Sequence, residues 1–400
     1  MFMRVRRYVL VLVTVLVSLG LRAQTDSLRV SLLTCAPGTE VYQLYGHTAL
    51  RVQEAGKGVD VVFNYGVFDF NAPHFTWRFV LGECDYMVAA YPFSGFLQEY
   101  ERRGSQVTEQ VLALTVEEKE RLFRNLATNS MPQNRTYRYN FLLNNCTTKA
   151  RDMIEQAVDG HVVYVEHAEH PTYREMLHHY THDFPWSETG NDLLLGATCD
   201  TVLTDRACQF LPERLMADMD RAQIFDKDEN RRPLVGETNI ILPDVSEKRM
   251  KPASSSWQAR LMEWMTPLRA ALCLLVVCLI IMVAEWHWRR MWWGVDMVLM
   301  TVQGIAGTFL CFMFLFSQHP AVDSNWQVWV LNPLPLLCMP WVVRSARRRR
   351  TCLYHYVNML WLALFVLLMA WIPQIFCAPM LPLALVLLTR PISYYLNYRR

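Results

Sequence analysis

Residues 136–160, TYRYNFLLNNCTTKARDMIEQAVDG, decide how this chain is read. The first half has strand character, with Tyr137, Tyr139 and Phe141 spaced to share one face. Asn144-Asn145 is an N-cap signal. Cys146 takes the first helical position, and the helix is expected to run to Gly160 as its C-cap. The position matters chemically because the nucleophile is a thiolate, and the positive end of a helix lowers a thiol's pKa. The free N–H groups of that first turn are also expected to receive a developing oxyanion.

Moving toward the N-terminus, residues 24–110 read as β-rich. LRVSLLTCAPG (28–38) is a strand closed by Pro37-Gly38, and HTALRV (47–52) is a second. GVDVVFNYGVF (58–68) is a third, entered through the turn Gly56-Lys57-Gly58. SQVTEQVLAL (105–114) alternates as a fourth. Thr115 and Glu118 then form a capping box ahead of a helix with a Leu122, Phe123, Leu126 stripe, ended by Pro132. A Cys146 thiolate needs a general base within hydrogen-bond reach. His47 is the candidate: it opens a strand, and Gly46 before it allows close backbone approach. Asn64, on the neighbouring strand, is the candidate to orient the imidazole. The expected fold of this part is a compact α+β domain.

Taken together, Gly46-His47-Thr48-Ala49-Leu50-Arg51, Asn64-Tyr65-Gly66-Val67-Phe68-Asp69-Phe70 and Asn144-Asn145-Cys146-Thr147-Thr148 with Arg151-Asp152 resemble the Lnb family. These are membrane-bound lipoprotein N-acyltransferases with an N-terminal periplasmic domain. More broadly, the pattern resembles the permuted papain-like fold of lecithin:retinol acyltransferase relatives, in which a His precedes an Asn-Cys helix start. The resemblance covers most of residues 24–265. It extends to the rest of the chain through the span pattern and through Gln318-His319-Pro320 and Asn332-Pro333-Leu334. Some relatives use a second His as the third catalytic member; this chain has Asn64 on that strand. The resemblance implies a cysteine acyltransferase that needs no cofactor. Cys146 would take an acyl chain from a membrane phospholipid as a thioester and pass it to the N-terminal amine of a lipoprotein. The same pair of residues also suits a membrane-anchored cysteine peptidase or amidase acting on cell-wall peptide. A sensor or assembly partner with a structural Cys146 is the non-enzymatic alternative.

The remaining sequence places this domain at a membrane. Arg4, Arg6 and Arg7, the apolar run 8–20 and Ala23 form an expected export signal over residues 1–23, cleaved after Ala23. The catalytic domain is expected over 24–250, with helices near 171–182 and 212–224. A linker and interfacial segment, 251–266, includes KPASSSW and Trp257–Trp264. Apolar runs follow near 267–284, 294–316, 326–343, 353–371 and 375–389, expected as five spans. The chain has 39 Lys and Arg against 37 Asp and Glu. No Lys occurs after Lys251, and later cations are Arg at the ends of apolar runs, a membrane pattern rather than a nucleic-acid footprint. With the domain outside, Arg289-Arg290, Arg344 with Arg347–Arg350, and Arg390 all fall on the cytoplasmic side of a bacterial inner membrane.

Other signals are weaker. Of the eleven cysteines, Cys199 and Cys208 are close enough in sequence to pair in an oxidising compartment. His161, His167, His170, His178, His179 and His182 crowd one region, but no HExxH motif accompanies them and no metal is expected. Trp186, Gly190, Asp192, Gly196 and Asp200 read as turn-fixing residues. Asp296 is expected to snorkel or to pair with Arg289 or Arg290, and His319, Asp323, Asn325 and Asn332 are expected on the outer rim on the side of the active site, either as plain interface residues or as the rim of a lipid entrance. The one-sided arginines give a direct expectation: a reporter fused after Arg350 reads cytoplasmic, and one placed within 319–325 reads periplasmic. The opposite pattern would remove the five-span arrangement.

Overall fold

The structure, a computed structural model, describes residues 27–38, 40, 43–69, 71–245 and 256–398. The expected export signal and residues 251–255 of the expected linker lie outside the described residues, as does Phe70 of the third strand motif. The strands are β1 Leu28–Cys35, β2 His47–Glu54, β3 Val59–Val67, β4 Asp85–Pro92, β5 Val107–Leu112, β6 Thr136–Arg138, β7 His161–Val163, β8 Gln223–Phe225, β9 Arg231–Pro233 and β10 Val235–Leu242. The helices of the sheet-rich part are α1 Phe75–Val80, α2 Phe93–Arg103, α3 Val116–Asn129, α4 Cys146–Ala157, α5 Tyr173–Thr181, α6 Pro185–Leu194, α7 Asp205–Cys208 and α8 Pro212–Arg221. Those of the helical part are α9 Trp257–Trp264, α10 Pro267–Trp288, α11 Trp293–Phe316, α12 Leu334–Arg347, α13 Leu353–Leu368 and α14 Met380–Tyr398.

A seven-stranded sheet in the order β10-β5-β1-β2-β3-β4-β6 carries the first part, and every pairing is antiparallel. Side chains alternate between its faces. Val30, Leu32, Leu50, Phe63 and Tyr65 pack under α3, α4 and α8. Leu33, Cys35, Ala49 and Val62 pack under Phe93, Phe96 and Tyr100 of α2. Covering both faces explains why β1 is buried from Val30 to Cys35. Each fully buried Leu there contributes about 1.5–3 kcal/mol. The capping box at Thr115 and Glu118 forms, and Leu122 and Leu126 are buried.

Several boundaries differ from the sequence expectation. The extended stretch 136–145 pairs only over Thr136–Arg138; Asn140 then bends the chain by accepting the Leu142 and Leu143 N–H groups on its side chain. α4 ends at Ala157 with Val158 as its C-cap. Gly160 instead occupies φ +125° hard against the Phe225 carbonyl, where a side chain has no room. The expected helix 212–224 stops at Arg221, and Gln223–Phe225 joins a three-stranded sheet. Cys199 and Cys208 are free thiols buried in one apolar cluster.

The helical part departs more. Pro267–Trp288, Trp293–Phe316 and Trp326–Arg347 are long and apolar enough to cross a membrane; Leu353–Leu368 is apolar but shorter. The third expected run, 326–343, is a short 3-10 turn at Trp326–Trp329 followed by α12, because Pro333 and Pro335 start a new helix. The fifth, 375–389, begins later and continues to Tyr398, so Arg390 lies inside α14 instead of flanking it. Its guanidinium is buried between two carboxylates, 3.0 Å from Glu285 and 2.7 Å from Asp296. Asp296 therefore pairs across to α14, not with Arg289 or Arg290. The Ser393 hydroxyl donates to Glu285 and the Tyr394 hydroxyl to Asp296. This polar cluster ties α10, α11 and α14 together.

Removing one member of a buried ion cluster strands the others, which costs about 3–5 kcal/mol. Arg390→Met is expected to lower the thermal midpoint of the full-length protein in detergent sharply. Adding Glu285→Gln and Asp296→Asn recovers most of the loss. An unchanged midpoint in the single variant would show that the cluster contributes nothing.

Candidate active site

Cys146 stands at the first position of α4 because Asn145 caps the helix so completely. The Asn145 Oδ1 accepts the N–H groups of Thr147 and Thr148, each at 2.9 Å. Its Nδ2 donates to the Phe141 and Phe210 carbonyls, each at 2.8 Å. The Thr148 hydroxyl returns the favour by accepting the Asn145 N–H at 2.9 Å. One consequence corrects the sequence expectation. Two of the first-turn N–H groups expected to receive an oxyanion are already spent on the cap, which leaves the Cys146 N–H as the first-turn donor nearest the thiol.

His47 begins β2 directly after Gly46, which has φ +72°. A β-carbon on Gly46 would lie 2.6 Å from the Cys35 carbonyl oxygen, so only glycine fits. The Leu50–Phe63 register puts His47 and Asn64 on the same face of the sheet. The His47 Nε2–H donates to Asn64 Oδ1, and Asn64 Nδ2 donates to the Tyr91 hydroxyl. That leaves the other ring nitrogen for Cys146, which lies close enough for each group to act on the other's titration. The structure thus brings all three sequence candidates together, and adds Tyr91 and Thr48, which the sequence reading missed. Tyr91 lies two residues beyond Ala89, the β4 partner of Asn64, so it is a diagonal neighbour on one face. Only the β3–β4 pairing makes that visible. The Thr48 and Thr147 hydroxyls bond at 3.1 Å, joining β2 to α4 beneath the thiol.

The electrostatics follow from this packing. Burial pushes the Cys146 thiol up, but the His47 charge and hydrogen bond, the Thr48 N–H and the Thr147 hydroxyl outweigh it and bring the thiol down to about 7. Burial pulls His47 down, and the Cys146 charge with the Cys146 and Asn64 hydrogen bonds more than reverses this. The other cysteines of the sheet-rich part behave oppositely: burial raises Cys35, Cys84, Cys199 and Cys208. One thiol in the domain is activated and four are insulated.

An aromatic ladder connects this thiol to the membrane-side helices. A β-carbon on Gly66 would sit 3.6 Å from the Tyr139 ring and 3.9 Å from the Cys146 β-carbon, so Tyr139 and Cys146 flank the same gap. Tyr139 stacks on Tyr86 at 4.5 Å, Tyr86 meets Phe68 at 4.9 Å, and Phe68 meets Phe75 of α1 at 5.9 Å. Phe75 stacks on Phe79 at 6.2 Å, and Trp77 on the same short helix contacts Phe312 of α11 at 5.2 Å. Trp77 and Phe79 are exposed. The outer loop after α11 clasps α1: Ser317 donates to the Val80 carbonyl, the Gln318 N–H to Leu81, and the His319 Nε2–H to Phe79 at 2.6 Å.

A second seam holds the domain in place. Arg174 is fully buried, with its guanidinium on Asp192 at 2.6 Å, on Asp200 at 2.7 Å and on the Leu195 carbonyl at 2.9 Å. It organises the segment read from sequence as turns. Onto that segment dock Asn325, which donates to the Leu193 carbonyl, Gln327, which donates to Asp192, and the Ile375 N–H, which bonds Asp200 at 3.0 Å. Gly196 presses against Ser324 and Asn325, and the Trp186 indole donates to the Met265 carbonyl. Of the clustered histidines, His178 bonds Asp192 and His167 bonds Asp218. Among the described residues, no group of three His, Cys, Asp or Glu side chains is arranged to hold a metal ion.

Residues 21–179 match the Lnb N-terminal periplasmic domain, and residues 259–400 match the Lnb transmembrane domain. No curated protein and no solved structure matches the chain. The two matches follow one another in the order of the sheet-rich and helical parts, and on them the chain belongs to the Lnb family, as a membrane protein with a periplasmic domain followed by a transmembrane domain.

Proposed function

We propose that this protein is a cysteine-dependent acyltransferase that moves a fatty acyl chain from a membrane lipid ester to the N-terminal amine of lipoproteins. Family membership supports a lipoprotein-modifying membrane enzyme. The observation that carries the finer reading is the row of packed rings from α1, which lies against Phe312 of α11, to the thiol beside His47. A wall peptide has no need of an apolar route from the membrane, whereas a lipid acyl chain does.

In this reading the Cys146 thiolate attacks the ester carbonyl carbon of a phospholipid. The tetrahedral oxyanion takes the Cys146 N–H. As the C–O bond breaks, the His47 imidazolium gives its proton to the departing alkoxide, which leaves as lysophospholipid. The chain remains as a thioester on Cys146. The amine of a lipoprotein's first residue then attacks the thioester, His47 takes a proton from that nitrogen, and the thiolate leaves. Ester and amine become alcohol and amide, and the ion pair is restored. Asn64, itself held by Tyr91, keeps the imidazole in register through both proton transfers. The domain faces the periplasm from a bacterial inner membrane, with five crossings beneath it.

The nucleophile is tested by its titration. The thiolate is the reactive form, so a lowered pKa moves the rise in reactivity to lower pH. Alkylation of Cys146 by iodoacetamide should climb through a midpoint of about 7 and fade below it. His47→Ala removes the largest lowering influence and shifts the midpoint upward. A wild-type midpoint at the ordinary cysteine value of about 8.5 would contradict an activated thiol.

The reaction is tested by the acyl state of a reporter lipoprotein, read by mass spectrometry together with the abundance of the enzyme. Cys146→Ala should leave abundant, membrane-inserted protein and reduce N-acylation by about 10³-fold or more. His47→Ala should resemble it, and the double variant should be little worse, because members of one catalytic unit are not additive. Asn64→Ala should lose less. Full acylation by abundant Cys146→Ala protein would refute the mechanism. Release of peptide from cell-wall fragments by the wild type, with lipoproteins unchanged, would favour the amidase.

A further inference from the structure

An open groove of about 640 Å³ runs between α12 and α13, away from the Cys146 site. Its volume lies within the roughly 300–1,000 Å³ typical of small-molecule sites. The chain's course orients it. α12 starts shortly after Asn325 and Gln327, which bond to the periplasmic domain, and runs away from that domain to Arg347. α13 starts at the far end and returns toward Gln374, which donates to the Leu195 carbonyl. The groove is therefore apolar along its length, with Trp341, Leu353 and Val357 in its walls, and basic at the end remote from the domain, where Arg344, Arg348 and Arg350 converge.

These arginines differ from Arg390 and Arg347. Arg390 is locked between Glu285 and Asp296, and Arg347 lies over the Trp293 ring at 5.0 Å. Among the described residues, Arg344, Arg348 and Arg350 make no ion pair. Three guanidiniums without a carboxylate, beside an apolar channel at membrane depth, match an amphipathic anion. A guanidinium presents a planar fork of donors suited to phosphate oxygens. Basic pockets between spanning helices favour anionic headgroups.

We propose that this groove binds one anionic glycerophospholipid from the leaflet remote from the periplasmic domain. Its phosphate is held by Arg344, Arg348 and Arg350, and one acyl chain lies along Trp341 and Val357. The site is separate from the catalytic lipid and does not depend on the acyltransferase reading. A bound lipid would brace α12 against α13, the pair that carries the docking residues Asn325, Gln327 and Gln374 at its opposite end.

The test uses the full-length protein in detergent and counts retained lipids by native mass spectrometry. Phosphatidylglycerol and phosphatidylcholine with identical chains are offered in turn. One phosphatidylglycerol should be retained with at least about tenfold preference, which is about 1.4 kcal/mol. The triple variant Arg344→Gln, Arg348→Gln, Arg350→Gln should lose that preference, and the corresponding triple Lys variant should keep most of it. Val357→Trp fills the apolar wall, leaves every arginine in place, and should also abolish retention. Excess inorganic phosphate should not displace the lipid. Equal retention of the two lipids would overturn the proposal. So would full preference in Val357→Trp, which would reduce the effect to surface charge, or displacement by phosphate, which would make this a site for the free ion.

Discussion

The position of the Cys146 sulfur depends on one side chain, Asn145. A helix start leaves N–H groups without partners, and a buried one is costly unless something accepts them. Asn145 takes two of them on its oxygen, then uses its amide to hold the Phe141 and Phe210 carbonyls. One amide thus joins the helix to the loop before it and to the segment leading into α8. Cys146 is the next residue, so everything that fixes Asn145 fixes the sulfur. Close approach of the two backbones does the rest: Gly46 lets His47 start its strand against Cys35, and Gly66 leaves the gap that Cys146 and Tyr139 share. The cap also leaves the Thr147 and Thr148 N–H groups occupied by the Asn145 side chain.

The sheet-rich part is also fixed against the helical part. The structure does this with buried charge. Taking the Arg174 guanidinium out of water is expensive, and only a full set of partners offsets the loss. Asp192, Asp200 and two backbone carbonyls supply that set. The result is a rigid platform whose own carbonyls and carboxylates accept from the outer loops. The first residues of that same loop after α11 hold α1 by three further hydrogen bonds. The Arg390 cluster performs the matching task deeper in, where an unpaired charge would be costlier still.

Much of this was legible in the sequence, and its range in the chain says why. Caps and turns are contacts within a few residues, so Thr115 with Glu118, Asn145 before Cys146, and the glycine turn before β3 could be read directly. Alternation marked the strands, and apolar runs marked the membrane part. What failed at this range were ends: α4 stops at Ala157, where Gly160 meets the Phe225 carbonyl, and α14 runs through Arg390, which Glu285 and Asp296 receive, because each of these boundaries answers to a distant neighbour; the break at Pro333 is a local one, set by Pro333 and Pro335. The pairing of His47 with Cys146 was reachable only as a matter of residue type and order, supported by a family resemblance; nothing local measures the distance between them.

The sequence by itself determined the local geometry and the chemistry available: which residues start helices, which segments seek lipid, and which side chains are able to act as nucleophile and base. Only the tertiary structure decided what those groups do. Asp192 and Asp200 looked like turn residues until Arg174 was folded between them. Asp296 looked like the partner of nearby arginines until Arg390, 94 residues away, took it. Phe68 and Tyr139 were read only as residues of two extended segments until the fold set them in one row with Tyr86. Charge pairing and ring stacking act over a few ångströms of space, and sequence separation carries no record of that distance.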